Sequence, residues 1–541
     1  MQLTTRAGQT TSRLPHVEAP AGRVSTGHGD LTPQLVDTDV WSDDLLARAG
    51  IPVVDVPFVT VGGGIGSFVL ADYLRVMGVP AESIRVLSNL DRPWQTYEHL
   101  TRVSQIPGPE RIRSDSQSMP DNLWGFPSYA MREAVAERSL KPVWNVLSEP
   151  VLSNYYTPRV SQVFRGMQRE HDRIGFGDML VKGTVRMVRR RHGGGYFTIL
   201  TPPAGTTATK RVAYRSRFVH LAVGYAGLKF LPDLQRYRSD TGDHHRVVNA
   251  YEGHEHVYRE VAARPCTVVI RGSGIVASRV LQRLIDDRDR LGTDVRIVHL
   301  FRTYVAGAHG RSIFMRRPGG HGWAHQGFNY PKSAWGGQLK ARMRRLEGEK
   351  RADLYEQIGG TQTPIRKNWQ EQLRRGRKAG WYQAISGEAQ LVRAHGNRLS
   401  MTLTPKPSGG SGGPDRFAIG GNPVEVGCDF VIDCTGLEAD IAEHRVIGDL
   451  LGHSGAGRNP VNRLDVERTF EVRGTRTDGS RLYASGAATL GGYFPGVDTF
   501  LGLQIAAQEI ADDLARQGFC KRLGPVRSIR QWWRWVGGRR P

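Results

Sequence analysis

Long hydrophobic runs are missing from this sequence. No stretch of about 18 apolar residues occurs in its 541 positions, which excludes a helix of the kind that spans a bilayer. The opening residues, MQLTTRAGQTTSRLPHVEAP, contain no apolar segment like that of a secretory leader, and the expected setting is cytoplasmic. Cysteine is scarce: Cys266, Cys428, Cys434 and Cys520 are the only four. So few thiols in so long a chain cannot form a disulfide framework, and they suit a reducing compartment. None stands in a C-x-x-C pair or a zinc-finger spacing, which sets aside dithiol exchange and structural zinc. His244, His245, His254 and His256 cluster without regular ligand spacing and read as surface or hinge residues, so no metal is expected. Acidic residues are outnumbered, 52 against 74 basic ones, for a net charge of +22. That excess is mostly arginine spread along the chain rather than gathered on a motif, which argues against nucleic acid as a partner.

With 39% hydrophobic residues, the chain can build the cores of three or four domain-sized units. The most informative stretch is VPFVTVGGGIGSFVLADYL, from Val56 to Leu74. It reads as a buried strand, a glycine turn and the start of a helix. In that order the glycines have distinct tasks: Gly62 permits the tight turn, and Gly64 lets backbone approach a pyrophosphate at the positive end of the helix. Gly63, Ile65 and Gly66 complete the turn, and Ser67 takes the third motif position, where a small residue still allows helix and strand to pack closely. A second copy, CTVVIRGSGIVASRVLQRL from Cys266 to Leu284, places Gly272, Ser273, Gly274 and Ile275 in the same turn, with Ala277 in third place. Each copy runs on to a strand closed by glycine, FVHLAVG at Gly224 and FVIDCTG at Gly436. The two intervals are nearly equal in length, so the chain reads as two tandem units.

The remaining candidates follow from position. SIRVLSN, the second strand of the first unit, ends without the usual ribose-binding acid. Either Ser88, with Asn89 beside it, serves as a neutral acceptor, or Asp91 reaches back. The loop after it is long and aromatic, and it leaves the cofactor end of the sheet. Arg92, Trp94, Gln105, Trp124 and Tyr129 are therefore candidates for lining a cavity, against the plainer reading that they pack a helical insertion. The alternating strands GTVRMVRRR, GYFTIL and RVAYRSRFVHLAVG form a meander, with RMVRRRH as a solvated face. In the second unit the strand DVRIVHLFRT ends at Arg302, and an arginine there can pair with a 2′-phosphate, which favours NADPH over NADH. The insertion after it carries His309, His321, His325, Tyr330, Lys332 and Trp335, and includes a charged helical cap, KARMRRLEGEKR. Near the end, LYASGAATLGGYFPGVDTFLGLQIAAQEI gives a strand, a turn at Gly486 and a helix capped by Asp498 or Thr499, whose positive end suits an anionic flavin ring.

Taken together, VGGGIG, HLAVG, IRGSGIVA, IDCTG and LYASGAA resemble, in order and spacing, the flavoproteins with two dinucleotide-binding domains. These include the flavin-containing and N-hydroxylating monooxygenases. The resemblance implies an α/β protein with two Rossmann-like domains, one for FAD and one for NAD(P)H, each with a β-meander, plus helical insertions. The implied division is a flexible extension over 1–50, an FAD domain over 51–265 with an insertion at 90–180, and an NAD(P) domain over 266–436 with a capping insertion at 303–386. The FAD domain then resumes over 437–520, and 521–541 is a basic, tryptophan-rich tail that could touch an anionic membrane. It further implies hydride transfer from NADPH to flavin. The expected activity is oxygenation of a small molecule by molecular oxygen through a peroxyflavin. The alternatives are an electron-passing reductase and a non-catalytic protein that keeps the fold. Ala487 stands where many members hold the ribityl chain with aspartate, and no catalytic acid or base can be named.

Overall fold

The computed structural model describes residues 29–111, 128–148, 156, 158–208, 210–272, 274–301, 338–358, 367–405, 422–437, 440–494 and 496–541. Trp124, Ser273, Arg302 and the insertion candidates His309 to Trp335 lie outside them.

The first parallel sheet is centred on Phe58–Val61, whose four residues are all buried. An apolar run of this kind requires cover on both faces. Ile84–Leu87 and Phe218–Leu221 flank it, and Leu180–Val181 and Arg481–Ala484 form the edges of five parallel strands. Their register decides the site. Val61 lies opposite both Leu87 and Leu221, and Leu221 opposite Ala484, so four chain segments leave the sheet along one edge. Two helices, Ile65–Val76 and Phe500–Arg516, share an apolar core that includes Phe68, Leu74, Ile505 and Ile510. The end of the chain thus returns to the first sheet.

A second sheet repeats the plan. Val247–Asn249, Phe430–Asp433, Cys266–Arg271, Val295–Phe301 and Tyr382–His395 pair in parallel. It then continues as an antiparallel meander through Arg398–Pro405 and Val424–Cys428. Helix Ile275–Leu291 follows its glycine turn. The expected α/β class, with two Rossmann-like sheets, is therefore present.

The third sheet is the meander Thr184–Arg191, Tyr196–Thr201 and Val212–Ser216, and two expectations fail there. Residues 29–50 are not a loose extension. Val40–Trp41 pairs with the meander's edge, and Trp41 is buried with Leu35, Leu46 and Phe197. Local signals carry this: Thr32 and Ser42 cap short helices by accepting from Leu35 N and Leu45 N. Nor is RMVRRRH a solvated face. A bulge between Val185 and Met187 shifts the alternation, and Arg189 is buried in an ion pair with Asp449 while its guanidinium covers the Trp41 ring. The charged cap is also docked: Arg344 pairs with Glu509, and Arg351 lies 3.6 Å from the Tyr493 ring centre.

Candidate cofactor-binding site

At the carboxyl edge of the first sheet lies a cavity lined by Gly62, Gly63, Gly64, Ile65 and Gly66, by Ser88, Asn89 and Thr184, and by Gly224, Gly486 and Asp498. The glycines are distinguishable by what a side chain would meet. Gly62 has φ +92°, and an added Cβ would strike the Ala222 carbonyl oxygen. At Gly63 it would come within 2.6 Å of Ser88. At Gly64 it would find no protein atom within 4 Å. The first two are needed by the turn, whereas Gly64 faces open space at the mouth of a helix. A glycine N-cap brings no side chain to close the first turn, and such a helix start attracts phosphate.

Behind the turn runs a buried polar chain. Ser67 Oγ donates to Gly62 O and lies 2.7 Å from Thr60 Oγ1. Thr60 Oγ1 is 2.9 Å from His220 Nδ1, and His220 Nε2 is 2.8 Å from Ser485 Oγ. Burial pushes the His220 ring down to about 3, so the imidazole is neutral at ordinary pH. The chain ties three parallel strands and the helix together just below the cavity. Ser67 therefore supports the site without lining it.

Several candidates gather at the cavity and others do not. Asn89 Nδ2 donates to Thr184 Oγ1 at 2.7 Å, and Ser88 Oγ accepts from Leu90 N at 3.1 Å. Asp91 turns outward to Lys182, 2.7 Å away, which leaves the neutral side chains at the strand tip. Arg92 and Trp94 are not among the lining residues. Arg92 pairs with Glu98 on the surface, and Trp94 is buried edge-on to His171. The rhythm of helix Gln95–Val103 explains this: Pro93, Thr96, Tyr97 and Leu100 reach the cavity at helical spacing, and Trp94 is one step off that face. That spacing was the signal for Thr96 and Tyr97, which the sequence reading passed over. Tyr129 is a core residue. Gln105 instead accepts from Arg283 at 3.1 Å beside a larger cleft of about 960 Å³. Tyr225, also unanticipated, donates to Asp498 Oδ2 at 2.7 Å. Thr499 caps the last long helix, accepting from Gly502 N at 3.0 Å.

The second turn enters its helix at the same angles. Gly274 has φ −80° and ψ −173°, against −78° and −172° at Gly64. Gly272, at φ +121°, would bring a Cβ within 2.8 Å of the Cys434 carbonyl, as Gly62 does with Ala222. Gly436 also holds a positive φ, +125°.

No family model matches the chain, and no curated protein does. Solved structures do. Ornithine hydroxylase PvdA from Pseudomonas aeruginosa is 15% identical, with a TM-score of 0.59 over 86% of this chain and 100% of that one. The ornithine N-hydroxylase KtzI of Kutzneria sp. 744, solved with FAD, NADP+ and L-ornithine, is 11% identical, with a TM-score of 0.60 over 86% and 100%. DfoA, the FAD-bound cadaverine monooxygenase of Erwinia amylovora, is 13% identical, with a TM-score of 0.59 over 84% and 94%. The chain has the fold of flavin-dependent N-hydroxylating monooxygenases. The likeness covers most of this chain and nearly all of each of the others, although few individual residues are shared.

Among the described residues no group of histidines, cysteines and acids is arranged to hold a metal. The four linker histidines instead have protein partners. His254 contacts Glu252 O at 2.8 Å, His256 contacts His245 O at 2.8 Å, His245 faces Glu260 at 3.2 Å, and His244 contacts Arg238 at 2.6 Å.

Proposed function

We propose that this protein is an FAD- and NADPH-dependent monooxygenase that places one oxygen atom on a small molecule, with an aliphatic amine nitrogen as the target class. The observation that carries the proposal is the pair of glycine turns, on separate parallel sheets, that enter their helices at matching angles. The first opens into a cavity lined in part by Asp498 and Leu503, at the start of helix Phe500–Arg516. A bound flavin would supply hydride acceptance from nicotinamide and activation of dioxygen.

The residues at the first turn fit such a group. Gly64 leaves room for a pyrophosphate, and the helix that begins at Ile65 favours its charge. Ser88 and Asn89 offer neutral hydrogen-bonding groups to a ribose. Gly224 and Gly486 let backbone approach the ring system, and the capped helix behind Asp498 and Thr499 points its positive end at it. Gly272, Gly274 and Ile275, with Ser273 between them in the sequence, are assigned to NADPH, together with Gly436. Arg302, next in sequence after strand Val295–Phe301, is the residue assigned to the 2′-phosphate. The division into FAD and NAD(P) domains follows from this assignment with one shift from the expected boundary at 265/266. Val247–Asn249 pairs with Phe430–Asp433, and Val257 and Val261 pack in the same core. The segment from Val247 therefore goes with the NAD(P) domain that runs to 436, and the FAD domain resumes over 437–520. The four cysteines carry no disulfide, which supports a cytoplasmic setting.

The purified protein is expected to be yellow, to oxidise NADPH faster when an aliphatic diamine or a basic amino acid is added in air, and to yield a product heavier by one oxygen. A colourless protein that takes up no added FAD would overturn the proposal. Turnover with a quinone and without oxygen would reassign the protein as a reductase.

A further inference from the structure

The last helix, Pro525–Val536, is mounted inside out. A helix on a globular surface normally buries its apolar stripe and exposes its polar one. Here Gln531 is 6% exposed and faces the body. Arg527 Nε donates to Val76 O at 3.2 Å, and Arg534 Nε donates to Arg540 O at 2.7 Å. Facing outward are Val526 at 83% exposure, Ile529, Trp533 at 63% and Val536, with Trp532 beside them. Positions 526, 529, 533 and 536 form one helical stripe. Trp535 is tucked under the Arg132 guanidinium, 5.8 Å from its ring centre.

That contact joins the tail to helix Ser128–Glu137 and its neighbour Lys141–Leu147. They too show apolar side chains to solvent: Val135, Leu140 at 81%, Trp144 and Leu147. Most of the large apolar residues exposed among the described residues therefore lie on these three helices, two joined by Arg132 and Trp535 and the third packed on Ser128–Glu137. Exposed apolar side chains gathered on neighbouring helices mark an interaction site.

Charge selects the occupant. Residues 521–541 hold Lys521 and Arg522, Arg527, Arg530, Arg534, Arg539 and Arg540, with no acidic residue. A second copy docked on this face would bring the same positive charge to it. An anionic bilayer satisfies both features, taking tryptophan and aliphatic side chains at the level of the headgroups and arginine against the phosphates. We infer that this three-helix face docks the protein on the surface of membranes containing anionic phospholipid. The tail is anchored at Met77, whose carbonyl accepts from Lys521 N at 3.1 Å. That is the far end of the helix whose start faces the cofactor cavity, so docking leaves the cavity mouth clear.

The test uses the full chain, sedimented with vesicles of phosphatidylcholine alone or of phosphatidylcholine with phosphatidylglycerol. Binding is expected to the second, to be released by salt, and to fall at least about tenfold in the double variant Trp532→Ser, Trp533→Ser. Both side chains are exposed, so flavin content and melting temperature should not change. Arg530→Glu with Arg539→Glu should abolish the preference for anionic vesicles while keeping the fold. Failure of the wild type to sediment with either vesicle would overturn the inference, as would equal binding by the tryptophan variant. A concentration-dependent dimer dispersed by the same variant would also overturn it, making the face a self-interface.

Discussion

At Gly64 and at Gly274 the chain turns into its helix through angles that agree within two degrees, yet the carbonyl that closes each turn is held differently. Gly62 O accepts from Ser67 Oγ, which belongs to the helix just begun. At the equivalent place in the second unit stands Ala277, which has no hydroxyl. There His299 Nε2 reaches from the neighbouring strand to Gly272 O at 2.6 Å, while its Nδ1 lies 3.2 Å from Tyr382 OH. The same angles at the helix start are thus reached with a local fastener in one unit and a remote one in the other. A buried carbonyl at a strained turn must find a donor, and which residue supplies it is free to vary.

The sharpest way to break the parallel is at the glycines. Gly62→Ala puts a methyl into the Ala222 carbonyl at a positive φ and should cost about 2–4 kcal/mol, with flavin lost as the turn opens. Gly64→Ala meets no protein atom. It should cost no more than about 1 kcal/mol, the difference between glycine and alanine at an N-cap, yet still lose flavin, because the methyl occupies the phosphate position. Urea unfolding and the visible spectrum separate the two. If Gly64→Ala kept its colour, the cradle would be placed wrongly. Gly272→Ala should resemble Gly62→Ala in stability while keeping flavin and raising the KM for NADPH.

What could be read from the sequence follows the same division between local and remote. Gly62, Gly64, Gly272 and Gly274 were legible because a turn, its strand and its helix are contiguous in the chain. So was the capped helix after Thr499. The part His299 plays was not, because it depends on register between Val295–Phe301 and Cys266–Arg271. Tyr225 with Asp498, and His220 with Ser485, are likewise joined only by the fold. Trp94 was misplaced because leaving the cofactor end of a strand does not fix which face of the next helix turns inward. Trp41 was missed because a segment with few apolar residues still contained two capped turns around one large side chain.

Removing the fasteners should have a smaller effect than blocking the turns. His299→Phe leaves Gly272 O without that donor, a loss of about 1–3 kcal/mol. Ser67→Ala should cost less, about 1–2 kcal/mol, since Thr60 retains His220. If both variants melted like the wild type, the carbonyls would be satisfied by water, and the difference between the units would carry no energy.

Smallest near neutral pH, and growing only as the pH falls, is the effect on pH dependence. His220 is pushed down to about 3 and His299 to about 4, in both cases by burial, from an ordinary value of 6.5. The folded state therefore resists protonation that the unfolded chain accepts. Between pH 6.5 and these values the unfolded state binds more protons, so stability is complete above about 6.5 and is lost as pH falls, by about 1.4 kcal/mol per unit for each ring. His220→Asn should remove one share of that slope while lowering stability at neutral pH, and His299→Phe should remove the other. Because the two rings sit in separate sheets, their shares should add. A double variant whose slope fell by less than the sum would show that the two turns, alike in geometry, are also coupled in energy.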